Sequence, residues 1–351
     1  MNKLKINKFK ILFWILLYLS GITLCSCDNG STDSPYGENC YILVLYPKAG
    51  LGDNGFLDNI YRAFKKNETD FSFALENIAP NSDSMAINAI DRFFNDSLST
   101  IYEHRLLVLV GDYYEPLLKE HPDWHQKDNN SILLLDSDND SFDTYVRGIS
   151  LYGASFQAGA LVKDMKYNNP AIYAANQTSI EVKRSIDGFI DGYQHAGGKF
   201  DMDNLIYIVD PQDSLDEGFG SSDDVYIMSH LSVFDENDFV FPIAGGSNAG
   251  LYRYIRESSN SVPFLTNGID TDQHNQSDKI VFSIEKHMEK IVNNFVQKWI
   301  DGKKLAKKEF YTLESDYINL IFHTGYDEWE KHADKFKEKA IEAERKYLEG
   351  K

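Results

Sequence analysis

Residues 40–66 read Cys-Tyr-Ile-Leu-Val-Leu-Tyr-Pro-Lys-Ala-Gly-Leu-Gly-Asp-Asn-Gly-Phe-Leu-Asp-Asn-Ile-Tyr-Arg-Ala-Phe-Lys-Lys, and this stretch decides the fold. Tyr41 to Tyr46 is a short apolar run of the strand type, and Asp58 to Lys66 has helical period. A strand followed by a helix is half of a βαβ unit, and the alternation continues along the chain, which implies parallel sheets. Phe71 to Ile78, Leu106 to Val110 and Ile132 to Leu135 read as further strands. Ser84 to Asp96 and Glu115 to Trp124 read as helices, the latter interrupted by Pro122.

A second series follows, with strands at Ala171 to Ala175, Leu205 to Val209, Phe239 to Ala244 and Pro263 to Thr266. Helices fall at Ser155 to Met165, Ile180 to Ala196 and Ala249 to Ser258. In Glu285 to Ile300, Met288, Ile291, Val292, Phe295 and Trp299 share one face, spaced for a helix on a sheet, and Gly302 ends it. A charged amphipathic helix spans Asp327 to Leu348. No internal repeat is visible, but both halves keep the same βα rhythm. The expectation is two similar α/β lobes.

The leader has its own logic. Lys3, Lys5, Lys8 and Lys10 precede an uncharged apolar run from Ile11 to Leu24, the layout of a signal peptide. The run falls short of the ~20 apolar residues a membrane span needs. It ends at Leu24-Cys25-Ser26-Cys27, which resembles the lipobox of bacterial lipoproteins; the small Ser26 favours Cys27 over Cys25 as the acylated mature N-terminus. Residues 28–39 are a polar, acidic tether of the kind that directs some lipoproteins to the cell surface. With Cys27 acylated, Cys40 has no partner, so no disulfide is expected. The location is then the cell envelope, periplasmic or surface-exposed.

Loss of residues 1–26 leaves 325 residues and moves the formal charge from -19 to -23, because the leader carries four lysines and no acids. Nucleic acid is thereby excluded as a partner. A chain of that length exceeds the ~250 to 300 residues at which one core stops growing. The hydrophobic share of 42% and aromatic share of 13% fit an ordered body.

Enzyme signatures are missing from the sequence: it has no HExxH, no GxSxG, no GxxxxGK[ST] and no Cys/His cluster among nine scattered histidines. No metal, cofactor or catalytic residue is expected. Gly245-Gly246-Ser247-Asn248-Ala249-Gly250 lies between a strand and a helix, where backbone N–H groups, that of Gly246 among them, face a polar ligand or simply make a tight turn.

Five segments carry a family resemblance. Gly52-Asp53-Asn54-Gly55-Phe56-Leu57-Asp58 resembles the Asp-x-x-Phe-Asn-Asp/Gln element of the basic membrane protein family, the purine nucleoside receptor type of substrate-binding lipoprotein. Gly153-Ala154-Ser155-Phe156-Gln157-Ala158-Gly159 is similar to its Gly-Ser-Phe-x-Ala-Gly, and Gly188-Phe189-Ile190-Asp191-Gly192 to its Gly-Phe-x-x-Gly. Asp238 to Gly246 resembles the following strand and glycine turn. Gly268-Ile269-Asp270-Thr271-Asp272-Gln273 is similar to Gly-Val-Asp-x-Asp-Gln, with Ser283 to Lys286 matching the Ser-x-x-Lys beyond it. The matches run in order over nearly the whole chain after the leader.

The resemblance implies a type I periplasmic-binding-protein fold, with two doubly wound parallel-sheet lobes joined by three crossovers, and a purine nucleoside in the cleft. The expected lobes are 40–147 plus 280–310 and 148–279 plus 311–351. Crossings are expected near Arg147 to Ser150, Lys279 to Ser283 and Phe310 to Thr312. By the same mapping Asp53, Phe56 and Asp58 belong to the site, Phe56 and Phe219 are aromatic plates, and Asp270 accepts from ribose hydroxyls with Lys286 donating nearby. Asp112 and Asp136 end strands where open α/β sheets bind ligands. Leu57 replaces the family's asparagine, which bears on purine identity.

Delivery of the ligand to an ABC permease is one expected role. A sensing or scavenging lipoprotein of the same fold, with a non-nucleoside ligand, is the alternative. An enzyme such as a nucleoside hydrolase ranks below both.

Overall fold

A computed structural model of the chain describes residues 37–95, 101–124, 129–210, 217–231, 233–258 and 261–350. The expected signal peptide, the expected lipidation site Cys27 and tether residues 28–36 lie outside the described residues. Among the described residues no helix is long and apolar enough to cross a membrane.

The first lobe opens β1 (Cys40–Leu45), α1 (Phe56–Phe71), β2 (Ala74–Ile78), α2 (Asp83–Asn95), β3 (His104–Val110), α3 (Glu115–Glu120), β4 (Asn130–Leu135) and β5 (Tyr145–Ile149). The chain then builds α4 (Tyr152–Asp164), β6 (Pro170–Ala174), α5 (Ile180–His195), β7 (Leu205–Tyr207), α6 (Ser222–His230), β8 (Phe239–Ile243), α7 (Asn248–Ser258), β9 (Leu265–Asp270) and β10 (Ile280–Lys286). It returns with α8 (Met288–Ile300) and β11 (Lys308–Tyr311), and finishes with β12 (Ile318–Phe322) and α9 (Asp327–Glu349).

Two six-stranded sheets result, ordered β11-β5-β4-β3-β1-β2 and β12-β10-β9-β8-β6-β7. Every pairing is parallel except that of β12 with β10. All six positions of β1 are buried, as a parallel strand covered on both faces requires, and Cys40 is one of them, packed as a small hydrophobe. The fold class read from the sequence is therefore the one observed.

Several boundaries differ from the sequence reading. α1 runs through Phe71 and stops at Ser72, whose left-handed φ of 57° caps it, so β2 begins at Ala74. α3 ends at Glu120, two residues before Pro122. Glu285 and Lys286 are strand, not the start of α8. Because β10 pairs with β9 in the second sheet, the second crossing comes at His287 and not at Lys279 to Ser283. The other crossings fall at 150–151 and 312–317.

Two of the quoted glycine motifs have a packing cause. A Cβ on Gly159 of α4 would sit 2.0 Å from the Phe189 carbonyl oxygen, and one on Gly192 of α5 would sit 1.9 Å from that of Phe156. The two helices touch backbone to backbone, which only glycine permits. Where the lobes join, Glu344 of α9 is 1% exposed and accepts from the backbone N–H of Gly153 (3.0 Å) and of Leu313 (2.9 Å). Ser150 also hydrogen-bonds to it, so one carboxylate clasps the first and third crossings. Burial raises its pKa and these donors pull it back.

Candidate functional site

In each sheet the order of the first five strands is 2-1-3-4-5, which places switch points beside β1 and β3 and beside β6 and β8. Open α/β sheets bind ligands at such points, beyond the carboxyl ends of the strands. Both sheets turn those ends toward one cavity of about 330 Å³, lined from the first lobe by Pro47, Gly111, Asp112 and Asp136 and from the second by Ala244, Gly246, Asp270 and Lys286.

The loop before α1 brings the first aromatic ring in. The Asp53 carboxylate accepts from the N–H groups of Gly55, Leu57 and Asp58 at 2.8, 2.9 and 3.1 Å, satisfying donors that the first turn of a helix leaves unpaired. Phe56 thereby stands as the first residue of α1 and lines the cavity, as does Leu57. Burial pushes the Asp53 carboxyl above its ordinary value despite these donors. Asp58 does not line the cavity: its carboxylate accepts from the N–H of Gly52 and of Asn54 and braces the loop. Its expected place in the ligand site is thus corrected, because both of its oxygens are engaged by backbone at the start of the helix.

Asp270 and Lys286, on adjacent strands β9 and β10, pair at 2.7 Å and are both 7% exposed. The Lys286 ammonium also lies 4.1 Å from the centre of the Phe56 ring, a cation–π contact between the lobes. Burial opposes its charge, but Asp270, Asp136 and Glu181 outweigh that and hold its pKa above the ordinary lysine value. Asp270 has a φ of 69°, in the left-handed region, where aspartate is tolerated better than most residues.

Asp136 is its counterpart at the end of β4, with a φ of 63°. Burial raises its pKa, Lys286 lowers it and Asp270 raises it again. Asp112 is pushed up to about 7 by burial, then by Asp136 and Glu115. The N–H of Ile180, at the start of α5 in the other lobe, draws it partly back.

Phe219 lines the cavity from the second lobe. Its loop is pinned by Ser247, whose hydroxyl donates to the Gly218 carbonyl and accepts from the Ser221 N–H. Gly246 leaves little room for a side chain: a Cβ there would lie 3.1 Å from the Phe219 carbonyl oxygen of its own lobe and 3.2 Å from the Asp53 Cβ of the other. At the rim, Gln273 Nε2 donates to the Asn54 carbonyl at 3.3 Å across the cleft.

Sequence reasoning missed Glu181, Ser179 and Ser185, all of which line the cavity from the start of α5. Burial pushes Glu181 up to about 8, Arg184 opposing and Asp136 reinforcing the shift. Arg184 pairs with both Glu181 and Asp138 of the first lobe. The signal available was the Glu181/Arg184 spacing in the first turn of a helix that follows a strand at a switch point.

The architecture matches solved structures across most of its length. An ABC transporter solute-binding protein from Aeropyrum pernix K1 superposes with a TM-score of 0.67 at 16% identity, over 89% of this chain and 92% of that one. The fold is that of the type I periplasmic binding proteins. A sugar ABC transporter sugar-binding protein from Bacillus halodurans gives 0.57 at 12% identity, over 83% and 99%. The transcription regulator CcpA of Lactococcus lactis gives 0.60 at 11%, over 81% and 97%. The type I fold thus serves both transport and regulation, and these identities establish fold alone. No family model matches the chain, and no curated protein matches it.

Proposed function

We propose that the chain is a lipid-anchored solute-binding protein that captures a small molecule, a purine nucleoside, between its lobes and hands it to an ABC-type importer. The observation that carries this reading is the Asp270–Lys286 pair set under the Phe56 ring in an interlobe cavity. A nucleoside has a π face, which Phe56 and Phe219 suit, and vicinal ribose hydroxyls, which a buried carboxylate beside an ammonium suits. A volume of about 330 Å³ is at the small end of ligand pockets. The role follows the printed description of the Aeropyrum and Bacillus proteins, the anchor follows Cys27, and the nucleoside follows the five sequence segments.

A thermal-shift panel of nucleosides, free bases, sugars and amino acids tests it. A ligand at 100 times its Kd stabilises the native state by about 2.7 kcal/mol. Inosine or adenosine should raise the melting temperature, and silence across all nucleosides would falsify the nucleoside assignment. One observation favours a second reading, a sensing or scavenging lipoprotein with a non-nucleoside ligand: buried Leu57 offers the cavity no hydrogen bond where the family has asparagine.

A further inference from the structure

Asp136 and Glu181, both close enough to Lys286 to act on its charge, line a part of the cavity that the stacking and ribose roles leave unused. Glu181 Oε2 and Asp136 Oδ1 are buried and accept no hydrogen bond from any described residue. Of the cations nearby, Arg184 bonds the other Glu181 oxygen and Asp138 while its Nε is itself buried without a partner among the described residues, and the Lys286 hydrogen bond goes to Asp270. Buried carboxyl oxygens without donors are costly, which is why burial raises the pKa of both groups, and donors arriving from outside would relieve that cost and favour the ionised forms.

The chemistry of that partner is constrained. Two acceptors on two different carboxylates call for a group that supplies two donors at once. A hydroxyl supplies one, whereas an amino nitrogen supplies two or more and adds partial or full positive charge to an acid-rich wall. We propose that the ligand carries an amino group and that this group donates to Glu181 Oε2 and Asp136 Oδ1. The proposal rests on the cleft being a solute site; within the nucleoside reading it selects an amino-substituted base over an oxo one.

Two matched pairs of probes test it by calorimetry: adenosine against inosine, and glucosamine against glucose. In whichever pair binds, the amino member should bind at least about tenfold tighter, the worth of one charge-assisted hydrogen bond. In Glu181→Gln and in Asp136→Asn that ratio should fall toward one. Because each ratio is taken within one protein, a general loss of stability cancels. Equal or reversed affinities within the binding pair overturn the proposal, as does silence from all four probes. Binding of glucosamine alone upholds the amino subsite and removes the nucleoside. Inosine binding as tightly as adenosine does the opposite.

Discussion

The two lobes place an aspartate at the same point, the carboxyl end of the fourth strand of each 2-1-3-4-5 series, and both residues take a left-handed φ, 63° at Asp136 and 69° at Asp270. Their surroundings then diverge. Asp270 has a lysine on the next strand at 2.7 Å, whereas the fifth strand of the first lobe gives Asp136 no such neighbour and its Oδ1 stays unpartnered. One fold position has thus been made into a finished charge pair in one lobe and an open acceptor in the other. Asp270 is charge-paired before any ligand arrives, whereas Asp136 keeps one oxygen without a donor among the described residues.

The largest expected effect separates the two sides. Lys286→Ala leaves Asp270 buried and uncompensated and should cost about 3 to 5 kcal/mol of stability in urea unfolding. Asp136→Asn removes a charge that repels Asp112 and Glu181, and should leave stability unchanged or raise it. Equal losses in the two variants would break the contrast.

Binding sharpens it next. Asp270→Ala should weaken a nucleoside by about 1 to 3 kcal/mol per ribose hydroxyl left unpaired, and the effect should vanish with the free base. Phe56→Ala should cost about 1 to 3 kcal/mol for every base alike, since stacking tolerates base identity. Calorimetry with adenosine, 2'-deoxyadenosine and adenine distinguishes the two patterns; a base-dependent Phe56 effect would remove the stacking role.

The pH dependence of the unliganded protein is a smaller signal. Asp112 and Glu181 rise from 3.8 and 4.5 to about 7 and about 8, so the native state holds protons that the unfolded chain has already released. Carboxylates with raised native values contribute stability that is complete below about pH 4 and is lost as pH rises through 7 to 8. The melting temperature should therefore fall between pH 5 and about 8.5. The slope should flatten in Asp136→Asn, because Asp136 is a cause of both shifts. A flat wild-type profile would contradict this. Least of all, Asp58→Ala should cost about 1 kcal/mol, the net worth of its exposed loop hydrogen bonds, with ligand affinity unchanged.

Much of this was legible in the sequence because the central strands are short apolar runs bounded by helices of clear period. β5, β10, β11 and β12 were not: Tyr145–Ile149 and Lys308–Tyr311 mix charged and apolar residues, Ile280–Lys286 ends in Glu285 and Lys286, which extend a helical pattern, and Ile318–Phe322 is a short edge strand. The end of α1 was hidden for a related reason: Asn67 is buried by hydrogen bonds to the Ala63 carbonyl and to Asn293, contacts that no periodicity reveals. Asp112 and Asp136 could be placed at the cavity because strand ends are where such sheets bind, whereas Asp270 and Lys286 were reached only through the family resemblance. Glu181 was not reached, because a glutamate in the first turn of a helix usually faces solvent, and here the opposing lobe covers it.

The clasp of Glu344 on Gly153 and Leu313 bears on how anything leaves the cleft. A carboxylate fixed to two of the three connecting segments acts as a buried hinge pin, so opening amounts to rotation about a point far from the rim. A small turn at the pin would be levered into a larger separation at the rim, where the Asn54 carbonyl accepts from Gln273 at 3.3 Å and from Thr271 at 3.4 Å. Opening by such a rotation would also have to break the Lys286 contact with Phe56 and the Arg184–Asp138 pair.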